Sequence, residues 1–280
     1  PTPNTHSATM SILVSLPRKQ TDQTELARSL TRYVQCNYDP TALAAHTAAI
    51  NGLHQMREDM RAATTQPATA PLTDLLVQYY FQVLSVESRF PISENNLRIS
   101  FSWSEIFKGR KVSMCSAAFE RANVMFNIAM TMNQMACDQD VLGSPEGAKS
   151  ASQYCQSGAG YLAELMAYMT EHGELQGKLP DLSGEALNAL MSVLLGNAQF
   201  CQFVRARSMG KPALVSKVGA AAAAFYEDAV QQLQESPTLA ALVPKALLVH
   251  LQALAAMVRA EVAVLLMEPL EADGRYGERV

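Results

Sequence analysis

The sequence predicts a mainly α protein, a stack of helical hairpins resembling those of TPR arrays, with a small three-stranded antiparallel sheet near the N-terminus. Three observations carry this. Apolar residues recur at intervals of three and four over most of the chain. Strict alternation is clearest in two stretches, Ser11–Leu16 and Leu97–Trp103. Short turns such as Gly210-Lys211-Pro212, with small residues between long apolar segments, suit paired helices. No 34-residue period runs through the chain, so a regular repeat array is not expected.

In chain order, residues 1–9 are polar and are expected to be disordered. Ile12, Val14 and Leu16 alternate and predict a first strand. Thr24–Tyr33 predicts a short helix with Leu26, Leu30 and Tyr33 on one face. Asp39-Pro40 then supplies a capping carboxylate and a proline at the first helical position, opening a helix with Leu43, Ile50, Leu53, Met56 and Met60. Thr64–Ala70 reads as a loop and Leu72–Val86 as a third helix. Pro91 fixes its own φ and keeps Phe90 out of the α region, so the helical pattern breaks there. Leu97, Ile99, Phe101 and Trp103 alternate with Arg98, Ser100, Ser102 and Ser104, a half-buried strand. Lys108-Gly109-Arg110-Lys111 turns the chain, and Val112–Cys115 is expected to return beside it.

The helix from Phe119 is apolar nearly all round and is therefore expected at the centre. Ser144-Pro145-Glu146 starts another helix, in which Gly158 and Gly160 each cost about 1 kcal/mol relative to alanine. Close approach of a neighbouring helix is the expected compensation. Gly173–Leu182 is a loop, Ser183 with Glu185 opens a helix to about Ser208, and Ala220–Ala224 marks tight packing in the next. Pro237 and Pro244 precede a last helix. Its apolar run, Ala246–Met267, is interrupted by His250, Gln252, Arg259 and Glu261 and reads as a buried helix, not a lipid-spanning one.

Hydrophobic residues make up 49% of the chain, enough for a substantial core, and the net charge is −4. That balance argues against general binding to nucleic acid or anionic membrane, though not against a local basic patch. Cys36, Cys115, Cys137, Cys155 and Cys201 are scattered and odd in number, which fits a reducing, cytoplasmic setting. Gly173-Glu174-Leu175-Gln176-Gly177-Lys178-Leu179 imitates a phosphate loop, but its glycine spacing is one short and Leu179 replaces the Mg²⁺-binding hydroxyl. His46 and His54 share a helical face without an evident third metal ligand. Cys115 and Cys155 need a histidine partner to act as nucleophiles, and the methionines of Met125–Met135 read as core filling. No enzyme, no cofactor, no metal and no small-molecule substrate are expected. Glu120, Arg121 and Asn127 lie in the least polar helix and are expected to be satisfied internally, as are Glu87 and Arg89.

Three blocks carry a family resemblance: Glu87-Ser88-Arg89-Phe90-Pro91-Ile92-Ser93-Glu94-Asn95, Ile99-Ser100-Phe101-Ser102-Trp103 and Phe119-Glu120-Arg121-Ala122. Their order and spacing resemble the core signature of the BRO-type domain, the boomerang-shaped helical domain of ALIX-like adaptors in the ESCRT membrane-remodelling system. The resemblance covers residues 10–280 as a single domain and implies that the domain continues beyond Val280 in the family. It implies an adaptor, recruited to endosomes from the cytoplasm, that docks the C-terminal helix of an ESCRT-III subunit in multivesicular-body formation. A separate reading is direct peripheral membrane contact by a curved basic face. The alternatives are a related scaffold in ambient-pH or Rho signalling, or the targeting module of a larger protease or phosphatase.

Leu214, Lys217 and Val218 fall at i, i+3 and i+4, so they share a helical face just beyond the Gly210–Pro212 turn. Arg205 and Arg207 end the preceding helix, and Lys149 lies in the first turn after Ser144. Apolar residues rimmed by cations suit an acidic amphipathic helix. By resemblance, Leu214 and Val218 match the family's apolar anchors, and Lys149, Arg205 and Lys217 its basic rim. Two positions depart from the family pattern. Gln202 stands where an aromatic anchor is expected, with Phe203 and Phe200 close by, and Pro145 stands where an acid is expected.

Overall fold

A computed structural model describes residues 11–272. Helices α1 (Leu26–Asn37), α2 (Pro40–Ala63) and α3 (Ala70–Glu87) precede a hairpin of β1 (Phe101–Ser104) and β2 (Lys111–Met114). Then come α4 (Ala117–Cys137), α5 (Pro145–Glu171), α6 (Gly184–Ser208), α7 (Pro212–Glu235), the single turn α8 (Pro237–Ala240) and α9 (Lys245–Ala272). Sequence neighbours pack together from α3 through α7, and α9 lies on α7. The caps predicted at Asp39, Ser144 and Ser183 form, and Ser116 adds one not predicted. Asp39, Ser116, Ser144 and Ser183 each accept from backbone N–H groups in the first turn of the helix that follows. The disorder expected for residues 1–9 lies outside the described residues.

Helix α4 is the hub, buried on nearly every side. Its polar residues do not form an open site. Glu120 accepts from Arg57 Nε at 3.0 Å, Tyr79 Oη at 2.8 Å and Trp103 Nε1 at 2.5 Å, uniting α2, α3, β1 and α4. Arg121 donates to Glu87 at 2.5 Å and to Tyr80 Oη at 2.8 Å, and its guanidinium lies over the rings of Tyr80 and Tyr168. Glu87 is therefore paired with Arg121, not with Arg89, which stays exposed and donates to the Ser85 carbonyl.

Among the described residues the sheet has two strands, not three. β1 and β2 pair antiparallel, with Phe101 opposite Met114 and Trp103 opposite Val112. The expected first strand, Ser11–Leu16, bends at Ile12 and Leu13 and, among the described residues, pairs with no strand. Side-chain amides from two helices take the place of a neighbouring strand. Asn197 Oδ1 accepts from Val14 N at 3.1 Å while its Nδ2 donates to Val14 O at 2.9 Å. Asn133 accepts from Leu16 N at 2.7 Å and donates to Val14 O at 3.0 Å. Asn127 accepts from Lys19 N at 2.7 Å and donates to Lys19 O at 3.0 Å. An asparagine amide presents an N–H and a carbonyl oxygen side by side, as the N–H and C=O of one strand residue do, so it satisfies a buried backbone without a ladder. Leu13, Val14 and Leu16 are all buried by this path, each worth about 1.5–3 kcal/mol. The third sheet partner instead lies further on, at Thr21, which forms a single antiparallel bridge to Trp103.

The glycine expectation holds at one of its two positions. A Cβ on Gly158 would stand 2.7 Å from Leu194 Cδ2 and 3.0 Å from the Ala129 carbonyl, so α4, α5 and α6 meet there. Nothing lies within 4 Å of a Cβ on Gly160, which faces solvent. Helix α9 also differs from expectation. It buries one stripe, Leu251, Leu254, Ala255, Val258 and Val262, while Val249, Met257, Val264 and Leu266 are exposed. One neighbouring helix, α7, covers only one side of it. Arg259 and Glu261 are not core breaks but bridges, pairing with Glu227 of α7 and Arg207 of α6. By length and composition alone, α6 and α9 are both apolar enough to cross a membrane, and α6 is mostly buried within the protein.

Candidate helix-docking face

The face is assembled by α5, α6 and α7. Gln202 Nε2 on α6 donates to Ser152 Oγ on α5 at 2.8 Å, fixing the register of these two helices. Lys149 lies one turn before Ser152, and Arg205 one turn after Gln202. Helices α6 and α7 approach closely because Gly219 has no side chain: a Cβ there would stand 2.9 Å from Phe203. That contact sets Phe203 beside the helical turn that carries Val218. Gly210, at φ +63°, makes the turn that folds α7 back along α6, a conformation that glycine adopts without steric cost.

The predicted residues separate into three groups. Leu214 is 41% exposed and Val218 half-buried, so both offer apolar surface while Val215 between them enters the core. Lys217 and Lys149 are exposed, and Arg205 and Gln202 half-buried. Phe203 is a correction. It is 1% exposed, packed under Gly219 and 6.1 Å from Phe200 between ring centroids, and so cannot be an anchor for a partner. Phe200 is buried with it, so neither phenylalanine replaces the aromatic absent at Gln202.

Electrostatically, the cations here are unequal. Among the described residues neither Arg205 nor Lys217 has a carboxylate within 4 Å, whereas Arg207 pairs with Glu261 at 2.6 Å. Lys149 reaches only Glu146, 3.5 Å away on its own helix and largely exposed, a pair worth little. Pro145 occupies the first turn of α5, so the carboxylate nearest Lys149 comes from Glu146.

Sequence reasoning missed Glu105 and Asp181. Both are buried, and both organise loops. Glu105 accepts from the backbone N–H groups of Phe107, Lys108 and Arg110, shaping the β1–β2 turn. Asp181 receives the Lys19 ammonium at 2.6 Å and the Ile106 N–H at 2.9 Å. Burial pulls the Lys19 ammonium below its ordinary range and Asp181 opposes that shift. The phosphate-loop imitation before Asp181 is a 3-10 turn that plugs Leu175 and Leu179 into the core. Hydrophobicity could not flag Asp181, because its partner lies 162 residues away.

His46 is exposed, beside a cleft of about 520 Å³ between α1, α2 and α3, and His54 is half-buried a further two turns along α2. Among the described residues no three His, Cys, Asp or Glu side chains gather as metal ligands. Burial raises the thiols of both candidate nucleophiles, Cys115 and more strongly Cys155, above the ordinary range, which disfavours the thiolate a nucleophile needs.

Helical hairpins stack around a polar-clamped central helix, and on the α5–α6–α7 face apolar surface from Leu214 and Val218 lies among exposed and half-buried cations. The chain belongs to the BRO1-like domain family, whose model matches residues 13–280. It is 34% identical over 235 residues to "ALG-2 interacting protein X" of Dictyostelium discoideum, covering 83% of this chain and 29% of that protein. It is 32% identical over 231 residues to "Vacuolar protein-sorting protein BRO1" of Gibberella zeae, covering 81% of this chain and 22% of that protein. A solved structure described as "ALIX BRO1 CHMP4C complex" superposes with a TM-score of 0.80 at 25% identity, over 96% of this chain and 76% of that one. The chain thus spans between a fifth and a third of the length of these two curated relatives.

Proposed function

We propose that this domain is a non-enzymatic adaptor module that docks the acidic, amphipathic C-terminal helix of an ESCRT-III subunit on its α5–α6–α7 face. The protein carrying it would work in the cytoplasm and be recruited to endosomes. One observation supports this above the others. Leu214 and Val218 offer apolar surface beside Arg205 and Lys217, which have no acidic partner among the described residues. The ligand's apolar side is buried on the first pair and its carboxylates meet the second. The similar ALIX domain is described in complex with CHMP4C, which supports the same class of partner.

The test is a titration of labelled synthetic C-terminal helices from a panel of ESCRT-III subunits against the purified chain. Saturable binding of at least one helix, weakened by added salt and competed by the unlabelled peptide, is expected. No binding by any member of the panel contradicts the reading.

A further inference from the structure

Gln202 is wired into the docking face in a way that fixes its chemistry. An arginine can only donate, so the amide oxygen of Gln202 must be the atom facing Arg205 Nη1, at 2.9 Å. The amide nitrogen then points the other way and donates to Ser152 Oγ at 2.8 Å. Ser152 is fully buried, and its hydroxyl donates to the Ala198 carbonyl at 3.3 Å while also accepting from Gln156 at 3.3 Å. Its one proton and both acceptor positions are used. A continuous chain therefore runs from the backbone of α6, through Ser152 of α5, back to Gln202 and on to Arg205.

The end of that chain is a guanidinium without a counter-ion. Arg205 is half-buried, no carboxylate lies within 4 Å of it among the described residues, and its Nε is enclosed without a hydrogen-bond partner. A surface arginine that served only solubility would need no such support. An arginine held in one orientation beside an apolar strip loses less freedom when it meets an anion, and so binds it more tightly. An aromatic residue at 202 would do the opposite: it would add apolar area and leave Arg205 unheld.

We infer that Gln202 is a positioning and specificity residue that orients Arg205 to receive a carboxylate from the docked helix. The face thereby selects a helix with one acidic residue about a turn from the apolar residues that meet Leu214 and Val218. A helix that places a large apolar residue over position 202 is disfavoured, because it would cover the amide–guanidinium pair without bonding to it. This inference rests on the docking reading above.

The experiment is a double-mutant cycle on the complete chain. The probe is the ESCRT-III C-terminal helix that binds best, together with copies in which each Glu or Asp is singly changed to Gln or Asn. Gln202→Leu is expected to weaken the unmodified helix about tenfold, the effect of one charge-assisted hydrogen bond. Against one particular neutralised copy, and only that copy, the same substitution should change affinity little. Gln202→Glu, which keeps the contact but pairs Arg205 internally, should weaken binding and flatten its salt dependence. Ser152→Ala, which removes the support of Gln202 from below, should reproduce the Gln202→Leu pattern in weaker form. Thermal melts of each variant report folding separately. If native protein binds and Gln202→Leu affects all copies equally, affects none, or tightens binding, the inference fails while the docking face stands. If native protein binds no helix at all, the docking reading fails and takes this inference with it.

Discussion

The indole N–H of Trp103 donates to Oε2 of Glu120 across 2.5 Å, with both side chains buried. The other carboxylate oxygen holds Arg57 and Tyr79. One carboxylate thus joins the hairpin to three helices, and without it the buried Tyr79 hydroxyl and Trp103 N–H would be stranded. Glu120→Ala takes the hydrogen-bonded carboxylate from the buried Arg57 guanidinium, which keeps only Glu58 at 3.6 Å as a counter-ion, and it also strands the buried Tyr79 hydroxyl and Trp103 N–H, so it should cost about 3–5 kcal/mol. Urea unfolding followed by the fluorescence of Trp103 measures this directly. A loss below about 1 kcal/mol, the range of a surface pair, would show that the cluster is dispensable.

The Asn127 amide predicts a second large effect at a site with no charge. Asn127→Ala removes both hydrogen bonds to the Lys19 backbone. The stranded N–H and carbonyl each cost about 1–3 kcal/mol when buried. Asn127→Asp should also destabilise, since a carboxylate cannot donate to the Lys19 carbonyl. Equilibrium denaturation of the two variants, with hydrogen exchange at residues 13–20, reads out whether the N-terminal path loosens.

Two glycines two residues apart, on opposite faces of α5, should respond with opposite signs. Gly158→Ala forces a methyl against Leu194 and the Ala129 carbonyl, which should destabilise by about 1–3 kcal/mol through overpacking. Gly160→Ala meets nothing within 4 Å and should stabilise by about 0.5–1 kcal/mol through lower chain entropy and better helix propensity. Thermal melts of both variants beside the native chain test this.

Hydrogen bonds from Lys111 and Arg259 hold the carboxyls of Asp22 and Glu227 below their ordinary range. A carboxylate depressed in the folded state binds fewer protons there than in the unfolded chain, so stability rises with pH across that interval. The contribution is complete above the ordinary carboxylate range, near pH 4–5, and is lost as pH falls through the folded-state values. Native protein should therefore exceed a Lys111→Met, Arg259→Met variant modestly at pH 7, and the two should converge toward pH 2. Denaturant midpoints measured across that range settle it, and a gap that widens on acidification would contradict the assignment.

Much of the fold was legible because it rests on local signals. The caps at Asp39, Ser144 and Ser183, the break at Pro91 and the all-round apolarity of α4 depend on residues within a turn or two of one another. The N-terminal segment was misread because alternation reports burial on an extended path, not which group satisfies the backbone. Nothing near Ile12–Leu16 announces that asparagines 119 and 183 residues away will do so. The outward face of α9 was misread for a related reason: composition records that a helix is apolar, not how many neighbours cover it. On the docking face, the spacing of Leu214, Lys217 and Val218 gave the strip. It could not show that Phe203 turns inward while Gln202, one residue earlier, turns toward Ser152.

The central claim is the docking face, and Leu214→Asp tests it most directly. Leu214 is 41% exposed, so a carboxylate there stays hydrated and should leave the melting temperature nearly unchanged. In the complex it would sit under the ligand's apolar side and repel its acids. Affinity for the best ESCRT-III C-terminal helix, measured by titration beside a thermal melt, should fall roughly thirtyfold, the effect of losing a central anchor worth about 2 kcal/mol. A folded Leu214→Asp protein that binds every helix as tightly as the native chain would contradict the account.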